Sequence, residues 1–66
     1  MKVNGTKLEL LTAQRGLTFL GLAKKAGVSR QTVSATKMRG TCAPETLVKL
    51  AAALDIDPAD IIEEGE

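Results

Sequence analysis

Leu47, Leu50, Ala51 and Leu54 recur at i, i+3, i+4 and i+7, the clearest helical stripe in the chain. Pro44 stands at the first turn of that stripe, where its missing N–H costs nothing. Upstream, Leu8 and Leu11 share one helical face over about residues 6–15, with Asn4 or Thr6 as the cap and Gly16 as the stop. Thr18 caps a second helix of about two turns that faces Leu22, Ala23 and Ala26 inward and ends at Gly27. Val28 is a one-residue apolar plug, and Ser29 caps a third helix over about residues 30–39, which Gly40 ends. One helix therefore stops and the next starts within Gly27-Val28-Ser29, a turn short enough to force a steep crossing. A fifth helix starts at Asp57-Pro58-Ala59-Asp60, with Asp as cap and Pro at the first position, and continues into Ile61 and Ile62. Residues 63–66 are expected to fray.

The third helix differs from its neighbours. Before Met38 its one strongly apolar residue is Val33; the rest is Arg30, Gln31, Thr32, Ser34, Ala35, Thr36 and Lys37. A helix so polar lies on the surface and touches the core mainly through Val33. β-Branched residues never alternate over a strand length, Phe19 is the single aromatic, and Leu and Ala dominate. The pattern predicts an all-α fold of five short helices in one domain spanning residues 1–66, with its core at about 6–62.

Charge sharpens this picture. Residues 1–42 carry eight cations against Glu9 alone, a net of +7, whereas residues 43–66 carry Lys49 against seven acids, a net of −6. The overall +1 hides that asymmetry. It points to one face for a polyanion and another turned away from it; the plainer reading is two solvated faces. With 66 residues, no His and one Cys, the chain offers no Cys–His pair, no clustered metal site and no internal disulfide. No general base for an enzyme is visible, and no cofactor is expected. Uncharged runs fall short of a membrane span, and the start lacks a signal-peptide core. The reading is of a cytosolic, reduced, complete small protein.

Arg15-Gly16-Leu17-Thr18, then the run from Leu22 to Ser34 (LAKKAGVSRQTVS), then the run from Pro44 to Leu54, resemble the lambda-repressor/Cro-type helix-turn-helix family, also called the xenobiotic-response-element type. The resemblance covers about residues 7–62. Ala26-Gly27-Val28-Ser29 followed by Thr32-Val33-Ser34 is its most specific part. It implies a five-helix DNA-binding domain whose helix two crosses the backbone of duplex DNA and whose helix three lies in the major groove.

Position by position, the resemblance places Arg30, Gln31, Ser34 and Ala35 at base edges. Arg suits guanine, Gln suits adenine, Ser is versatile, and Ala meets only a thymine methyl. Ser34 is equally read as a bystander, and Thr32 as packed or bonded to its own backbone. Thr18, Ser29, Lys37, Arg39 and Thr41 fall at phosphates, where contacts position without specifying.

The sequence departs from the family in four ways. Phe19 stands where many members have a phosphate-binding Gln. Thr36 replaces an apolar residue, which weakens the packing expected of helix three. Lys37 replaces an acid, which strengthens nonspecific binding. Leu10, Phe19 and Leu20 occupy commonly polar positions, so they are either scattered surface residues or a patch for a protein partner. The implied function is a sequence-specific repressor of bacterial, phage or mobile-element type, cytoplasmic and nucleoid-associated, binding as a homodimer. Its dimer surface would be Ile56, Pro58, Ile61 and Ile62, unless those isoleucines close the core of a single copy. The rival reading is an interaction module, an antitoxin or coregulator.

Overall fold

The computed structural model describes residues 1–62. Among them it has four α-helices: α1 (Gly5–Gln14), α2 (Phe19–Ala26), α3 (Arg30–Arg39) and α4 (Pro44–Leu54), followed by a single 3₁₀ turn at Pro58–Asp60. The expectation of fraying at 63–66 lies outside the described residues.

Each boundary has a local cause. Asn4, not Thr6, caps α1: its side-chain oxygen accepts from the Lys7 N–H at 3.0 Å. Thr18 and Ser29 cap α2 and α3 by accepting from Gly21 N–H and Thr32 N–H, both at 3.1 Å. Each such cap is worth about 1 kcal/mol against Ala. Gly27 (φ 76°) and Gly40 (φ 70°) close α2 and α3 in the left-handed region, which a side chain at either position would strain.

The helices bury one apolar cluster. Leu8, Leu22, Val33, Leu47, Leu50, Leu54 and Ile61 are wholly or almost wholly buried within it. Leucines so placed contribute about 1.5–3 kcal/mol each. α3 reaches this core through Val33, as its pattern predicts, and also through Thr36. Thr36 does not sit there as a defect, because its hydroxyl donates to the Thr32 carbonyl at 2.8 Å. Thr12 does the same in α1, donating to the Leu8 carbonyl.

Arg15 serves another helix than its own. Its Nε donates to the Leu54 carbonyl at 2.8 Å, and a second nitrogen donates to the Asp55 carbonyl at 3.4 Å, so it closes the C-terminus of α4.

Two features depart from the sequence reading. First, Met1–Asn4 is not idle. Val3 N–H donates to Gly40 O at 2.7 Å and Asn4 N–H to Ile61 O at 2.8 Å, so the segment runs extended between the loop after α3 and the end of the described chain. Val3 is buried in the process.

Second, the expected fifth α-helix is only the 3₁₀ turn. Asp57 accepts from Ala59 N–H, while the Asp60 carboxylate accepts from Asp57 N–H, which closes the turn on itself. The chain then leaves helical geometry because Ile62 pairs with Val3. Ile61 is fully buried, and Ile56 and Ile62 pack half-buried against the same core. Ile61 is therefore a core residue, which removes it from the expected dimer surface. Pro58 is half-buried beside it.

At Gly5 the backbone of α1 comes close to that of α3. A Cβ there would stand 2.5 Å from the backbone carbonyl oxygen of Lys37. In an open helix Gly→Ala stabilises by up to about 1 kcal/mol, but overpacking against backbone costs about 1–3 kcal/mol. Gly5→Ala is expected to destabilise the chain by about 1–2 kcal/mol in urea unfolding, since the clash outweighs the propensity gain. A stabilised variant would contradict this contact.

Candidate nucleic-acid interface

The functional question turns on α3. At about 100° per residue, Val33 and Thr36 point to one side of this helix, and Gln31, Ser34, Ala35 and Met38 fall on the other. The structure bears out that division: the first two are buried, and the four opposite residues line one shallow open depression together with Arg30 and Arg39. All four residues expected at base edges, and Arg39 from the phosphate set, thus share a single face.

Met38 completes that face and was assigned no role from sequence. It is 83% exposed, the most exposed of the large apolar side chains. The available signal was its spacing, seven residues from Gln31 and four from Ser34, which puts it on the outward stripe.

The other expected phosphate residues lie outside this depression. Thr18 and Ser29 stand at the N-termini of α2 and α3, both exposed, where backbone N–H groups favour anions. Their oxygens already accept from their own helices, and the Ser29 and Thr32 hydroxyls lie 2.8 Å apart. Thr32 is thus held locally, though by a neighbouring side chain and not by its backbone. Thr41 is exposed in the loop after α3, where it faces Lys2 in a short antiparallel pairing closed by the Val3 and Cys42 N–H groups.

Lys37 is turned toward α1, and its Nζ lies 3.8 Å from Glu9 Oε1. Both side chains are well solvated, so this pair is worth no more than about 0.2–1 kcal/mol and releases Lys37 readily to a stronger anion. Arg30 stands on the edge between the α3 depression and a second one lined by Ala13, Leu17, Phe19 and Leu20.

α3 carries three cations, Arg30, Lys37 and Arg39, and no acid; α2 adds Lys24 and Lys25 in its last turn. Flexible cationic groups beside neutral hydrogen-bonding side chains make a surface suited to a polyanion with readable polar edges.

Of the three apolar residues read as a partner patch, Leu10 is 55% and Leu20 48% exposed. Phe19 is half-buried and packs against the core. Phe19 and Leu20 share the second depression, whereas Leu10 does not line it. The structure therefore brings only two of the three together.

Cys42 is half-buried, and burial pushes its thiol up, outweighing the pull of the terminal ammonium. It is a poor nucleophile in this setting. Among the described residues, no three His, Cys, Asp or Glu side chains gather to hold a metal ion, and no helix is long and apolar enough to cross a membrane.

Comparison with curated proteins gives no match. A family model described as the Cro/C1-type HTH DNA-binding domain matches residues 7–63, nearly the whole chain. The chain belongs to that family and is a DNA-binding domain of regulatory type.

Proposed function

We propose that this Cro/C1-type chain is a sequence-specific transcriptional regulator, a repressor, that lays α3 in the major groove of duplex DNA. The observation that carries the reading is the outward face of α3, where Arg30, Gln31, Ser34 and Ala35 share one open surface flanked by Arg39. α2, the three-residue turn and α3 form the helix-turn-helix in this reading, with α2 across the backbone and the first residues of α3 on base edges. Arg30 pairs with guanine O6 and N7, and Gln31 with adenine N6 and N7. Ser34 donates or accepts one turn later. Thr18, Ser29, Lys37, Arg39 and Thr41 hold phosphates and fix the register.

One copy makes few phosphate contacts, so tight binding at cellular salt calls for two. The reading is a homodimer on an inverted repeat with half-sites about 34 Å apart. The outer edges of Ile56, Pro58 and Ile62 are the surface proposed for the contact, without Ile61. The protein would act at the nucleoid, in the cytoplasm, and its role calls for no catalytic step.

Selection of bound duplexes from a random library at near-physiological salt tests the reading. An enriched inverted repeat is the expected result. Weak, motif-free retention that vanishes as salt rises would contradict it. Lys37→Ala separates position from specificity: it is expected to weaken every duplex alike and reduce the slope of log K against log salt by about one. A loss confined to the selected sequence would make Lys37 a base reader instead.

The exposure of Leu10 and Leu20 favours a second reading, an antitoxin or coregulator that docks a protein partner. Stoichiometric co-purification of one partner, lost on charge substitution at Leu20, would favour that reading over the first.

A further inference from the structure

We infer that Met38 reads a pyrimidine C5-methyl group in the major groove, making it a specificity residue of this chain. The inference rests on the proposal that α3 occupies that groove. Met38 is the one large apolar side chain on the outward stripe of α3, 83% exposed on a side that is polar apart from the small Ala35. It lines the same depression as Gln31, Ser34 and Ala35, so a duplex that meets those side chains meets Met38 as well.

The chemistry then limits what Met38 can recognise. Its thioether carries no hydrogen-bond donor and accepts only weakly. On a phosphate it gains nothing. Along the floor of the major groove the apolar feature of a normal base pair is the thymine methyl, and 5-methylcytosine carries the same group. A long, unbranched, polarisable side chain suits such a contact because it adapts its shape at little cost. Ala35 lies one turn before Met38 and is half-buried on the same face, so the two form an apolar step beside the polar Gln31–Ser34 side. Gln31 and Met38 are seven residues apart. At about 1.5 Å per residue, that separation spans about three base-pair steps of about 3.4 Å when the helix follows the groove. The methyl read by Met38 thus belongs to a different base pair from the one that Gln31 contacts.

The test uses the duplex recovered by selection with the intact chain. Each thymine is replaced in turn by deoxyuridine, which removes only the methyl, and each cytosine in turn by 5-methylcytosine, which adds it. Apart from the methyl that meets Ala35, the wild-type chain should lose about fourfold in affinity at one further thymine of each half-site, the worth of burying one methyl group. A comparable gain at one methylated cytosine would identify the other source of the same methyl and supports the inference equally. Met38→Ala should bind the unmodified duplex more weakly by a similar factor and show no sensitivity to the methyl at that position. Because Met38 is almost wholly exposed, this variant is expected to keep the wild-type circular dichroism spectrum and melting temperature. The inference is overturned if Met38→Ala retains the wild-type methyl sensitivity, or if no methyl substitution changes wild-type affinity. Failure of the wild-type chain to select any duplex would be a different result, because it would overturn the proposed function itself.

Discussion

Leu22→Ala is expected to unfold most of the chain's cooperative structure near physiological temperature. Leu22 is fully buried, and α2 packs against both α3 and α4, so the side chain lies where the helices converge. Truncating a buried Leu to Ala costs about 2–5 kcal/mol, from lost transfer energy and the cavity left behind. A chain of this length has only about 3–10 kcal/mol to lose. Circular dichroism should show a fall in melting temperature of about 10 °C or more. DNA binding should fall on every sequence and at every salt concentration, because the helix that presents the reading face loses its support. An unchanged melting temperature would mean that α2 is not packed as described.

Arg30→Ala should act in the opposite manner, leaving the fold intact and changing what is read. Arg30 is exposed at the first position of α3, and its side chain borders the outward depression. Its removal costs the core nothing, and Ala is at least as good a helix former. On the selected duplex the variant should lose about 1–3 kcal/mol, with relaxed preference at one base pair of each half-site. On random duplex the loss should be smaller and should disappear as salt rises, since only a charge is missing there. Competition titrations with cognate and random DNA at two salt concentrations measure both terms. Equal losses on the two DNAs would make Arg30 a phosphate clamp.

Much of this was legible from the sequence because short-range rules decide it. Gly27-Val28-Ser29 sets the end of α2 and the start of α3 by backbone conformation and a side-chain cap, both local matters. The stripe from Leu47 to Leu54 is a periodicity, and periodicity survives folding. The single exposed face of α3 followed from its scarcity of apolar residues.

What escaped the sequence was settled by partners far along the chain. Val3 is one apolar residue among polar ones, too little for a strand signal, yet it is buried because Gly40 and Ile61–Ile62 provide backbone partners on both sides of its segment. The same pairing ends the helix expected from Pro58 onward and draws Ile61 inward. Arg15 directly follows α1 in sequence, whereas its hydrogen bonds close α4, 39 residues later. Gly5 carries no sequence signal for its contact with the Lys37 carbonyl. Met38 gained a role only once the face around it was known.

The claim that the outward face of α3 meets DNA is tested most directly by mapping backbone amide chemical shifts while the ¹⁵N-labelled chain is titrated with its selected duplex. The account predicts the largest shifts along Ser29–Arg39 and at Thr18–Gly21, with small changes over Pro44–Leu54. Shifts centred on α4 or around Leu10, with α3 unmoved, would contradict it.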